Sequence, residues 1–175
     1  MQMLRRKQST FGESERYVAC MVLGGVGDCL GFRDGQWEFL KDGEVIHTQM
    51  ATLGGVAALK VQGFKVSDDT VMNLATAKAI VNYEKKKKRD RAVEDAKVDL
   101  YLKIAFEYIE CMQDMIGRAP GGTCIKGVNQ LNPSIRTGYI IEFNERGAGC
   151  GAAMRLVSFL LFLLFSRILT LFSVN

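Results

Sequence analysis

Residues 67–115 read SDDTVMNLATAKAIVNYEKKKKRDRAVEDAKVDLYLKIAFEYIECMQDM, and their patterning decides the fold class. Ser67 is a good helix N-cap, and Asp68 and Asp69 behind it would oppose the helix dipole in a first turn. In the helix that follows, Val71, Leu74, Ala75 and Lys78 fall on one stripe, and Met72, Ala79 and Ile80 widen the apolar face. Lys85 to Arg91 is a charge run that reads as solvated. From Ala92 to Met115 the apolar positions Val98, Tyr101, Leu102, Ala105, Tyr108, Ile109 and Met112 recur at spacings of three and four, which predicts a second long helix stopped by Gly117 and Pro120.

Outward from this pair, Tyr17 to Leu30 (YVACMVLGGVGDCL) is apolar with small residues. Glycines weaken an isolated helix, so this one is expected to pack close against another backbone. Gly31 to Gly43 reads as a loop with Asp34-Gly35 and Asp42-Gly43 as turn dipeptides, and Gly54-Gly55 marks a further turn. Tyr139 to Phe143 is short and β-like, and Gly147 to Gly151 (GAGCG) leads into a helix start at Ala152. The expected architecture is all-α with long functional loops. Residues 1–16 form a polar extension expected to be frayed, 17–155 the folded part and 156–175 an apolar tail.

Composition narrows the function classes. Hydrophobic residues make up 48% and charged residues 24% of the 175, so a packed domain is expected. The 23 Lys and Arg exceed the 19 Asp and Glu only slightly, and much of the excess sits in Arg5-Arg6-Lys7 and Lys85 to Arg91. That is not a basic face of the kind nucleic acid requires. The five cysteines (20, 29, 111, 124 and 150) are odd in number and lack C-x-x-C spacing, and His47 is the single histidine. Reduced thiols and a cytoplasmic location follow better than a disulfide framework or a zinc site. The apolar run of Leu156 to Phe165 (LVSFLLFLLF) is too short before Arg167 for a confident membrane span.

Two segments carry chemistry. Ser67-Asp68-Asp69 is either a well-capped helix start or part of a hard-cation site, because adjacent carboxylates and a hydroxyl are the oxygen donors that Mg²⁺ takes. One such segment cannot make a full site. GAGCG either allows close packing or cradles phosphate with its backbone amides. It imitates a dinucleotide fingerprint after YIIEF, but its spacing is G-x-G-x-G and no acid follows about 20 residues on. No G-x-S-x-G elbow is present.

Five segments in order are similar to one family: GGVGDCLG (24–31), GQWEFLKDGEVIH (35–47), VSDDTVMNLATA (66–77), CMQDMIGRAPGG (111–122) and FNERGAGCGAAMR (143–155). Together they resemble the amino-terminal part of the ADP-ribosylarginine hydrolases. The intact Ser-Asp-Asp-Thr and GRAPGG match the active, arginine-specific branch.

The resemblance implies an incomplete ADP-ribosylhydrolase-type helical domain, in a family that holds two Mg²⁺ ions in a central cleft. It makes Ser67, Asp68 and Asp69 metal ligands and Glu38 a glutamate near the scissile bond, with Asp68 and Asp69 also serving catalysis. It makes Arg118, Pro120, Gly121, Gly122, Thr123, Asn144, Gly147, Gly149, Cys150 and Gly151 the surroundings of ADP-ribose. The implied partners are proteins bearing ADP-ribosylated arginine, or ADP-ribose itself, with no nucleic acid and with a monomeric enzyme. Family members carry a second motif, Asp-x-Asp followed by Ser or Thr, and none follows Arg155 here. The expectation is therefore a truncated, inactive form with at most one weakly held Mg²⁺. Its alternatives are a non-catalytic ADP-ribose-binding or interaction fragment and a membrane-tethered one, and the exposed apolar tail is expected to drive association of the chain.

Overall fold

The computed structural model describes residues 12–86 and 93–158. Expectations for residues 1–11, for most of the Lys85 to Arg91 run and for the apolar tail beyond Ser158 lie outside these. Five α-helices follow in order: α1 (Glu13–Phe32), α2 (Gly43–Thr52), α3 (Asp68–Lys86), α4 (Val93–Cys111) and α5 (Gly122–Val128). Short 3₁₀ turns at Arg33–Gly35, Val56–Ala58, Met112–Asp114 and Ala153–Arg155 connect or follow them. No strand occurs among the described residues, so the fold is all-α.

The α3–α4 pair is the frame, as the periodicity predicts. Its buried stripe on α3 is Met72, Ala75, Thr76, Ala79, Ile80 and Tyr83, while Leu74 and Lys78 face outward. Met72 is fully buried and joins Met115 and Val128 in the core, with Tyr108, Ile109, Cys124 and Met154 packed around them. Polar links stitch the helices, among them Asn82 Nδ2 donating to Glu107 Oε1 at 3.3 Å. Thr76 Oγ1 lies 2.9 Å from Tyr108 Oη, and the buried Glu107 pairs with Lys78 Nζ at 2.6 Å. Buried polar groups require such partners.

Several expectations are corrected. Tyr139 to Phe143 is not a strand. Ile140 and Phe143 stay exposed, and among the described residues no strand pairing forms to satisfy a strand's backbone. Asp42-Gly43 is not a turn but the start of α2, a helix the loop reading passes over. Asp42 Oδ1 accepts from the amides of Glu44 (3.0 Å) and Val45 (3.4 Å) as its N-cap. The polar extension is helical from Glu13, where the Gly12 amide donates to Glu15 Oε2 at 2.9 Å. In α1, Gly24 and Gly27 have open space beside them. Only Gly25 meets another element, with an added Cβ 3.5 Å from Thr70. The turns at Asp34-Gly35 and Gly54-Gly55 are present, with φ of 87° and 79° at the latter pair.

Candidate active site

The site is organised by the chain between Phe64 and Asp68, which enters α3 and is held from three sides. From α1, Cys29 Sγ donates to the Phe64 carbonyl (3.7 Å), and Asp28 Oδ2 accepts from the Ser67 amide (2.9 Å) and from Thr70 Oγ1. From the turn after α1, Asp34 Oδ1 accepts the Lys65 amide at 2.7 Å. From the loop before α5, Arg118 Nη1 donates to the Val66 carbonyl (2.7 Å), and the Arg118 carbonyl accepts the Asp68 amide (3.0 Å). Gly25 and Asp28 share a face of α1 at i,i+3 spacing. The missing side chain at 25 lets α1 lie against Val66 and Thr70, and Asp28 then reaches the start of α3.

Ser67 fulfils the capping role its sequence predicts, since its Oγ accepts the Asp69 amide at 3.2 Å. The two acids behind it are crowded. Burial raises the Asp68 pKa, and the charges of Asp69 and Glu38 raise it further, against the lowering effect of the Gly121 amide that donates to its carboxylate. Burial also raises the Asp69 pKa, followed by the charge of Asp28, while the Cys150 thiol and the Arg155 cation pull it down. Cys150 Sγ stands 3.9 Å from Asp69 Oδ1, and the Asp69 carboxylate pushes the Cys150 thiol pKa up. Residues from three separate segments therefore meet here, Asp68 with Asp69, Gly121 and Cys150, and the charge of Glu38 acts on Asp68 from a fourth.

Beside this point a cavity of about 420 Å³ opens between α4, α5 and the 144–151 loop. Thr123, Asn144, Gly147, Gly149 and Gly151 line it together with Tyr101, Tyr108 and Arg155. Pro120, Gly121, Gly122 and Cys150 are not part of that lining. Gly122 opens α5, and Pro120 lies in a strained loop where Ala119 has φ 55° and Gly117 φ 75°. Arg118 is engaged structurally: besides Val66, it donates to the Asp114 carbonyl (2.7 Å) and carboxylate (2.9 Å).

Sequence reasoning does not single out Asp28, Asp34 or Arg155. Asp28 is the one with a readable signal, an acid set within an otherwise apolar, small-residue helix. Arg155 stacks over the Tyr108 ring at 4.7 Å and donates to Met72 Sδ (3.1 Å) and Cys124 Sγ (3.3 Å), contacts no spacing rule foretells.

The donor chemistry suits a hard dication, because clustered carboxylates with raised pKa values are stabilised by added positive charge. The number of donors does not. Among the described residues no group of three or more His, Cys, Asp or Glu side chains is gathered as a metal cage. Asp28 Oδ2 already accepts from the Ser67 amide and the Thr70 hydroxyl. Asp68 and Asp69 can supply one side of a coordination shell and no more.

The site thus combines an acid-rich α3 start with a glycine loop beside a cavity, within an all-α fold. The family model for ADP-ribosylglycohydrolases matches residues 9–172, and the chain belongs to that family. It is 34% identical over 151 residues to the ADP-ribosylhydrolase ARH1 of Dictyostelium discoideum, covering 81% of this chain and 36% of the relative. It is 24% identical over 157 residues to L444 of Acanthamoeba polyphaga mimivirus, assigned as an ADP-ribosyl glycohydrolase, covering 85% of this chain and 29% of that one. The chain thus spans about a third of the length of the curated relatives it matches.

Proposed function

We propose that this chain contributes the first carboxylate pair and the ADP-ribose-facing loops of a hydrolase that cleaves the N-glycosidic bond between ADP-ribose and arginine. The observation that carries the reading is the meeting of Asp68, Asp69 and Cys150 beside a cavity lined by the 144–151 loop, with the charge of Glu38 acting on Asp68. Family membership and the ADP-ribosylhydrolase of Dictyostelium support hydrolysis of an ADP-ribosylated substrate. The arginine preference rests on the Ser67-Asp68-Asp69-Thr70 and Gly117-to-Gly122 motifs.

In this reading the cavity takes the ADP-ribose moiety, with the Gly147, Gly149 and Gly151 backbone close to the phosphates because no side chain intervenes. Glu38 accepts a proton from the water that attacks the anomeric carbon. The bond to the arginine nitrogen breaks, and arginine leaves after taking up a proton. Asp68, Asp69 and Ser67 would hold magnesium, which when bound polarises oxygen and lowers the pKa of water. A pair of ions is not expected on the 175 residues alone. Two dications close together repel strongly unless several carboxylates offset them, and Asp68 and Asp69 provide two charges against four.

The test is release of free ADP-ribose from ADP-ribosylated arginine at millimolar Mg²⁺, beside calorimetric titration with ADP-ribose. We expect no turnover by the 175-residue chain. A longer form of the protein carrying further carboxylates should turn over and should lose activity in Asp69→Asn. Chelator-sensitive turnover by the 175 residues would overturn the half-site argument. An active longer form indifferent to Asp69→Asn would overturn the site assignment.

A further inference from the structure

Arg33, Asp34 and Gly35 stand consecutively in the left-handed region, with φ of 45°, 52° and 81°. One such residue suffices to end a helix, and Arg33 does so for α1, its amide donating to the Cys29 carbonyl. Asp34 is not needed for termination. A non-glycine residue there is held against its preference, and such strain persists only where surrounding contacts impose it.

Those contacts are identifiable. The conformation at Asp34 brings Oδ1 to within 2.7 Å of the Lys65 amide, 31 residues further on. Beyond the turn the chain folds back, so that Trp37 is buried, with its ring 4.8 Å from the Arg33 guanidinium and its Nε1 donating to Gln49 Oε1 of α2 at 2.7 Å. Glu38 follows Trp37 directly. Ser67 follows Lys65 by two residues. The turn therefore ties the Glu38 loop to the segment that leads into the carboxylate pair.

We propose that Asp34 is a positioning residue: by accepting the Lys65 amide from a strained left-handed turn, it fixes the Trp37–Glu38 loop against the entry to α3. This rests on the proposed role of Glu38 and the carboxylate pair at one site. Asp34 itself touches no reacting group.

Trp37 is the only tryptophan, so fluorescence excited beyond the tyrosine absorption band reports on this loop alone. Asp34→Asn keeps an acceptor and tolerates the left-handed conformation. Asp34→Gly deletes the acceptor while relieving the backbone strain. We expect acrylamide quenching of Trp37 in the Asn variant to equal that of the unsubstituted protein. In the Gly variant the quenching constant should rise about twofold through local opening of the loop, with no fall in the thermal midpoint. A purely structural role would move quenching and midpoint together. Protection of Trp37 in the Gly variant equal to that of the unsubstituted protein overturns the proposal, as does loss of protection in the Asn variant. Amide hydrogen exchange of the unsubstituted chain decides the matter even if Asp34→Gly does not fold. The Lys65 amide, which has no helical partner, should exchange slowly, and fast exchange there also overturns the proposal. None of these readouts uses metal, substrate or turnover, so they can succeed while the hydrolase reading fails, and the reverse.

Discussion

At the scale of single residues, the site opposes its own stability. Asp68 and Asp69 have raised pKa values, so the folded state binds their protons more tightly than the unfolded state does. For a carboxylate with a raised folded pKa, stability falls as pH rises from about the ordinary value near 4 through the folded value. Without a divalent ion the thermal midpoint should therefore be higher in mild acid than at neutral pH, as far as these two groups govern it. Asp69→Asn should raise the midpoint at neutral pH in chelator and flatten that part of the pH dependence. It should also abolish any stabilisation by added Mg²⁺. Melts across pH in chelator and in Mg²⁺ check this, and a lower midpoint for Asp69→Asn at neutral pH would show that Asp69 stabilises the fold. Asp28 instead supports the fold through its hydrogen bonds. Its carboxylate accepts both the Ser67 amide and the Thr70 hydroxyl, so Asp28→Ala strands two donors at the start of α3 and should cost about 2 kcal/mol in denaturant unfolding.

At the scale of elements, the long helices were legible because burial on one face imposes a period that survives in the sequence. The α3–α4 pair appears where the spacing places it, and the stop near Gly117 follows from backbone chemistry. What was not legible depends on contacts between distant segments. Tyr139 to Phe143 has the composition of a strand, but a strand needs a neighbouring edge that local sequence does not reveal. In α2 the Asp42-Gly43 dipeptide suits a turn or a cap equally, and only the amides of Glu44 and Val45 decide between them. The carboxylate pair was readable from its adjacency; its connection to Asp28, Asp34 and Arg118 was not, because those partners lie 31 to 52 positions away. The same frame predicts where mutation is costly. Met72 is fully buried between α3 and the Met115–Val128 core, so Met72→Ala should cost about 3 kcal/mol through lost transfer energy and a residual cavity. Denaturant titration measures this, and a cost under about 1 kcal/mol would mean that the core collapses around the deletion. Gly25→Val should act through geometry instead. A Cβ at 25 is already 3.5 Å from Thr70, so branched methyl groups would displace α1 and break the Asp28 contacts, whereas Gly25→Ala should be tolerated.

At the scale of the whole molecule, the apolar surface of the described residues stays partly open. On α1, Val18 and Val22 are 64% and 57% exposed at i,i+4 spacing, with Leu23 beside them. On the outer side of α3, Leu74 and Val81 are about half exposed, and Leu156 and Val157 are similarly open next to Ser158, which hydrogen-bonds Asn73 of α3. The α1 and α3 groups are linked through Met21, whose sulfur accepts from both Asn73 Nδ2 and Ser158 Oγ. No described helix is long and apolar enough to cross a membrane, so these side chains do not belong to a membrane span in the described part. They are open among the described residues, and water disfavours a contiguous patch of more than a few hundred Å². In the relatives this span is about a third of the polypeptide, which leaves ample chain to lie over such faces. The 175-residue chain should therefore self-associate with rising concentration and bind a dye that reports exposed apolar surface. Replacing Val18 and Val22 together by Lys should shift sedimentation toward the monomer without lowering the helical signal, because both positions are exposed and Lys is a good helix former. Two results would count against this account. One is a sharp monomeric boundary for the unsubstituted chain at all concentrations. The other is a Val18→Lys/Val22→Lys variant that associates as before, which would place the sticky surface somewhere other than α1.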